Sequence, residues 1–145
     1  MYTAIDISSY ILTHCRQKDI NVTNLKLQKL LYFVQCAFIK NKKELCFGDK
    51  IEAWSYGPVI SDVYNLYSKY VSNNILSWKE PLKSISCCDQ KIIDTVLDAY
   101  AKKNTWDLVE ITHSQNPWKL TYEKGKKKVI PNSLLFNFAL TSTGE

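Results

Sequence analysis

The chain has 145 residues, 46% hydrophobic and 23% charged, with a formal net charge of +5. That balance argues against a disordered segment, and the length suits one domain (residues 1–145) whose single core needs no covalent staples. Four Gly and four Pro are too few for an all-β fold rich in turns, and a modest basic excess does not by itself point to nucleic acid.

The elements follow in chain order. Ile7, Tyr10, Ile11, His14 and Cys15 repeat at helical spacing and predict a first helix over residues 3–19. Thr23 or Asn24 can cap a second helix, whose stripe is Leu27, Leu30, Leu31, Val34 and Phe38. Phe33, Cys36, Ala37 and Ile39 carry apolar character around its other sides, which predicts the buried centre of the domain. Leu45-Cys46-Phe47 and Lys50 to Ser55, on either side of Gly48-Asp49, read as a small β-hairpin or a pair of extended segments. Pro58 suits the first turn of a third helix, with Asp62 near its start and a stripe of Val59, Val63, Leu66, Tyr67 and Tyr70.

Residues 72–87 read as a long connection. Asp89 is expected to cap a fourth helix with Ile92, Ile93, Val96, Leu97 and Tyr100 on its stripe. Thr105 is expected to cap a fifth, with Trp106, Leu108, Val109 and Ile111 on its apolar sides. Pro117-Trp118 opens a short helical segment, Glu123 to Lys128 is a charged loop, and Pro131 to Leu140 reads as a last amphipathic helix. The expected architecture is mainly α: a compact domain of about six helices with a small β-hairpin between the second and third.

Chemical signatures are few. Asp107, Glu110 and His113 share one helix, but a Glu-x-x-His metal site needs a second such set and further carboxylates, which the sequence lacks. Neither Gly-rich phosphate loop is present, and no local signature pairs a Cys with either His as a nucleophile. The reading is a protein without cofactor or metal that is not an enzyme. Cys15, Cys36, Cys46, Cys87 and Cys88 make an odd set with no C-x-x-C pair, as expected of reduced thiols in the cytoplasm. The first twenty residues carry charges and no leader-like apolar core, and no apolar run approaches the ~20 residues of a membrane span.

Lys124-Gly125-Lys126-Lys127-Lys128 is the strongest charge run. It can contact phosphates, as in an autoregulator bound to its own operator, or it can be a solvated loop, the commoner case. Residues 89–103 and 105–114 could form a helix-turn-helix. The would-be recognition helix, however, holds Asp107 and Glu110 and no Lys or Arg, a poor face for DNA. Within the greasy second helix Gln28 and Lys29 stand out, as does Glu52 in Ile51-Glu52-Ala53-Trp54. A Lys29–Glu52 ion pair is one way to make both tolerable, because an unpaired buried charge is costly.

Leu25-Lys26-Leu27-Gln28-Lys29-Leu30-Leu31-Tyr32-Phe33, then Ile51-Glu52-Ala53-Trp54-Ser55-Tyr56-Gly57-Pro58-Val59 with Val63-Tyr64, resembles the Panacea domain of SocA-like antitoxins and GepA-type phage-associated proteins. His113 with Pro117-Trp118 resembles that family's third landmark, and the likeness extends from residue 5 to about residue 138. Cys36 stands where a Gly is usual, Lys43-Glu44 replaces Lys-Pro, and residues 72–88 match nothing in the pattern. The resemblance implies a helical domain with a small β element. It further implies an antitoxin that binds a cognate toxin encoded beside it, and for the SocA-like case an adaptor that presents the toxin to the ClpXP protease. Hot spots favour Trp and Tyr. Trp54, Tyr56 and Trp118 are therefore the expected contacts, with Gln28, Lys29, Tyr32, Glu52 and His113 as neighbours or supports.

Overall fold

The helix expected at the centre is there. In the computed structural model, which describes residues 1–141, α2 spans Asn24–Lys42. The Thr23 hydroxyl accepts from the Lys26 N–H at 3.2 Å and starts the helix. Lys43 ends it in the left-handed region at φ 58°, its N–H closing on the Ile39 carbonyl at 2.8 Å. Leu27, Leu30, Leu31, Tyr32, Val34, Phe38 and Ile39 are buried, so the all-round apolar character translates into a helix with neighbours on every side.

Those neighbours are mostly helices. α1 (Ala4–Gln17) lays Ile7, Ile11 and Cys15 into the core. α4 (Cys87–Tyr100) contributes Ile93, Val96 and Leu97. α5 (Thr105–His113) contributes Leu108 and Val109, α6 (Asn116–Lys119) is a single turn, and α7 (Asn132–Thr141) buries Leu135 and Ala139. With α3 (Ser61–Leu66) and a 3-10 turn at Ser68–Tyr70, the architecture is mainly α, six helices and the single turn α6. None of the described helices is long and apolar enough to cross a membrane.

Local details differ from the sequence reading in four places. The helix caps are Ser86, whose hydroxyl accepts from Asp89 N–H at 3.2 Å, and Asn104, whose side chain accepts from Trp106 N–H at 2.8 Å. Asp89 and Thr105 therefore lie inside their helices. The hairpin turns at Ser55-Tyr56 instead of Gly48-Asp49: β1 (Glu52–Trp54) pairs antiparallel with β2 (Gly57–Val59) and with β3 (Lys128–Val129). Pro58 thus sits in β2, at the edge of a sheet ordered β2-β1-β3, where a missing N–H costs nothing. The third helix accordingly begins at Ser61, and of its expected stripe Val63 and Tyr67 are buried while Leu66 is exposed.

The connection after the 3-10 turn is tied down along its length. Ile75 N–H donates to the Val22 carbonyl at 2.9 Å, and Trp78 Nε1 donates to the Thr13 hydroxyl at 2.9 Å. The Asp6 carboxylate accepts from Leu82 and Lys83 N–H at 3.0 and 3.2 Å. Tyr2 OH accepts from Ser86 N–H at 3.2 Å. Irregular chain must settle its backbone groups one at a time, and here α1 and its flanks answer them.

Candidate functional site

The sequence landmarks meet at one place, the β1–β2 turn. From below, α2 reaches it with buried polar side chains. Gln28 Oε1 accepts from Ile60 N–H at 2.9 Å while its amide donates to Asn24 Oδ1 at 2.9 Å. Lys29 Nζ donates to the Pro58 carbonyl at 2.6 Å. Lys29 is fully buried, and that burial pushes its ammonium down to about 7. The expected Lys29–Glu52 pair does not form: the Glu52 carboxylate accepts from Trp54 Nε1 at 2.8 Å, and a backbone carbonyl takes the lysine instead. The reason is reach, since Lys29 points under β2 and Glu52 stands on β1 at the rim.

Gly57 makes this closeness possible. Its φ is +109°, and a Cβ there would lie 2.7 Å from Thr112 Oγ1 and 3.0 Å from Lys29 Nζ. Only a glycine satisfies both the backbone angle and the space.

From the side, α5 and α6 grip the turn through two ring N–H groups. Trp118 Nε1 donates to the Trp54 carbonyl at 2.7 Å. His113 Nε2 lies 3.1 Å from the Ser55 carbonyl; a carbonyl can only accept, so the proton is on Nε2. Burial holds this imidazole below its usual range, with the Lys29 charge adding to the effect. The His113 ring stacks on Trp118 at 4.0 Å and Trp118 on Tyr122 at 4.6 Å.

The outer surface of the turn is aromatic. Trp54 is half-buried, with Tyr64 edge-on at 4.9 Å and Lys127 Nζ over its ring at 4.1 Å. Tyr56 and Trp106 are 56% and 54% exposed and meet edge to face at 5.2 Å. The basic loop folds back toward this surface, Glu123 holding Lys126 at 2.8 Å and Lys128 at 3.2 Å.

The eight residues singled out by sequence therefore divide. Gln28, Lys29 and Tyr32 are sealed inside, the last donating its hydroxyl to Gln115 Oε1 at 2.8 Å. Glu52, Trp54, Tyr56, His113 and Trp118 share the rim and surface. Sequence reasoning missed Trp106 and Tyr122, placed Trp106 on an apolar side, and assigned Lys127 to the basic run and not to the aromatic cluster. Trp106, Glu110 and His113 recur at i, i+4 and i+7, a spacing that puts the Trp on the face of His113 and away from Leu108 and Val109.

The family described as antitoxin SocA-like, Panacea domain, matches residues 27–119, a stretch running from α2 through the turn to α6. The chain is also 32% identical, over 125 residues, to the antitoxin SocA of Caulobacter vibrioides (strain NA1000 / CB15N), covering 77% of this chain and 66% of that protein. No solved structure matches the chain. The chain belongs to the SocA-like antitoxin family, and the unit it carries is the Panacea domain.

Proposed function

We propose that the chain is an antitoxin that neutralises a cognate toxin by binding it directly in the cytoplasm, through the aromatic surface at the β1–β2 turn. The observation that carries the reading is the exposed Tyr56–Trp106 pair, seated where the matched landmarks converge. Large amphipathic rings held at a fixed angle provide contact area at little entropic cost. Gln28, Lys29 and Tyr32 act as supports that fix the turn, and Trp54, His113 and Trp118 form the rim that keeps water out. With Lys127 lying on Trp54 and Glu123 holding two of the other loop lysines, the basic run is engaged within the protein, which counts against the operator-binding alternative.

The test is co-expression with the product of the neighbouring gene, followed by co-purification. The double variant Tyr56→Ala/Trp106→Ala should keep its stability within about 0.5 kcal/mol, because both rings are exposed, yet lose protection and association. Full protection by the double variant would remove this surface; a harmless neighbour would remove the antitoxin reading. The finer version, in which the bound toxin is handed to ClpXP, requires that protection disappear in cells lacking the protease while association persists.

A further inference from the structure

Glu110 stands in the aromatic surface with no partner to bind. Trp106, Glu110 and His113 share one face of α5, and the two outer members hold the β1–β2 turn, Trp106 against the Tyr56 ring and His113 at the Ser55 carbonyl. Glu110 lies between them, one helical turn after Trp106, about 6 Å along the axis and about 40° around it. It is exposed, and its charge reaches His113, where it favours the protonated imidazole against the effect of burial. Among the described residues the Glu110 side chain has neither a hydrogen bond nor an ion pair. Residues 142–145 contain no Lys, Arg or His, so they have no cation to give it. Asp107, also exposed and unpaired, sits in the first turn, where a carboxylate suits the helix dipole. Glu110 lies past that turn and lacks this reason.

The rings beside it are not equivalent. Trp54 is covered by the protein's own Lys127, with Nζ 4.1 Å from the ring centre. Tyr56 and Trp106 are more than half exposed and meet at 86°, and among the described residues no cation lies over either. α5 itself holds no Lys or Arg; Lys102 and Lys103 precede its cap, Asn104. Two rings at a right angle form a corner, and an unpaired carboxylate stands beside it.

We propose that the corner of Tyr56, Trp106 and Glu110 receives an arginine side chain of the toxin. A planar guanidinium can stack on a ring while giving two parallel N–H bonds to a carboxylate; an ammonium offers only a point charge. An apolar or acidic side chain would cover Glu110 and leave its charge unanswered, which is costly. A second copy of the chain is a poor source. Its only arginine is Arg16, already stacked 3.9 Å over Trp78 and bonded to the Leu76 carbonyl. The assignment rests on the toxin-binding reading of this surface and names the chemistry that the surface selects.

Calorimetric titration of the purified product of the neighbouring gene into the whole chain tests it. Glu110→Gln should weaken binding about tenfold and Glu110→Lys about a hundredfold, while circular dichroism and urea midpoint stay unchanged because the residue is exposed. The arginines of the toxin are then replaced by alanine one at a time. One replacement should weaken binding to the unaltered chain about tenfold or more, and its loss should shrink against Glu110→Gln, as expected of a coupled pair. Full binding by Glu110→Lys, or coupling of Glu110 to a toxin lysine or to no basic residue, would overturn the arginine. The two readings fail in different ways. If Tyr56→Ala/Trp106→Ala loses binding while Glu110→Lys keeps it, the arginine is wrong and the surface stands. If both variants bind fully, or the neighbour's product does not bind the unaltered chain, the surface falls and the arginine with it.

Discussion

α2 meets the rest of the protein in two ways. Toward residues 46–60 it offers Gln28, Lys29 and Gln35, none more than 1% exposed. Each is bonded to backbone, Gln35 accepting from Cys46 and Phe47 N–H at 2.7 and 3.2 Å while donating to the Phe47 carbonyl at 2.8 Å. Toward α4 and α7 it offers Phe33, Cys36 and Ala37. A helix consumes its own backbone groups and asks a neighbour only for apolar surface, whereas a turn or short strand leaves N–H and C=O groups to be answered. Lys26, bonded to the Ala101 carbonyl at 2.8 Å, obeys the same rule, because that carbonyl lies at the end of α4. Buried polar residues in a greasy helix thus mark the irregular chain it will meet.

The sharpest way to break the polar side is Gly57→Ala. Backbone strain at φ +109° and a contact of 2.7 Å with Thr112 Oγ1 add to an expected loss of about 4 kcal/mol in urea denaturation. Gln35→Leu comes next. It keeps the volume but strands two N–H groups and a carbonyl, at about 3 kcal/mol by the same measurement.

Lys29 sharpens the comparison through pH. The unfolded chain keeps this proton up to about pH 10.4, while the folded protein releases it near 7. In between the unfolded state binds more protons, so raising the pH stabilises the fold, by roughly 2 kcal/mol from about pH 7 to about 8.5. Above that the thiols of Cys15 and Cys36, pushed up by desolvation to about 11 and about 12, act in the opposite sense. Chemical denaturation across pH should show this rise and fall, and Lys29→Met should remove the rise alone. The smallest effect belongs to the apolar side: Ala37→Val, filling part of the groove between α2 and α4, should change stability by less than about 0.5 kcal/mol.

Much of this fold is legible in the residues. Thr23 announces α2, the stripes of α1 and α4 predict what they bury, and the landmark residues announce one cluster. What was misread depends on contacts distant in sequence. Pro58 is compatible with a helix start and with an edge strand, and the choice is made by Lys29, which bonds Pro58 itself from 29 positions away, and by Gln28, which bonds Ile60 from 32 positions away. Gly48-Asp49 predicts a turn because Gly and Asp are ordinary turn formers; the glycine that matters, Gly57, serves packing against Thr112. Residues 72–87 carry no periodic pattern because each anchor, such as Trp78 on Thr13, is used once. The surface was found by resemblance and by its aromatics, but separating Tyr56 from the sealed Tyr32 required the structure.

The side chains of α2 that answer distant backbone also shape how the protein acquires order. Lys26 reaches 75 positions along the chain, Tyr32 reaches 83 and Lys29 reaches 29. A partly folded chain that packed other apolar segments over this face of α2 would shield Gln28, Lys29 and Gln35 from water before their partners arrived, which is unfavourable for each. Early docking is therefore penalised and late docking rewarded. The central helix thereby ties segments distant in sequence to one another, an arrangement that favours a single cooperative transition.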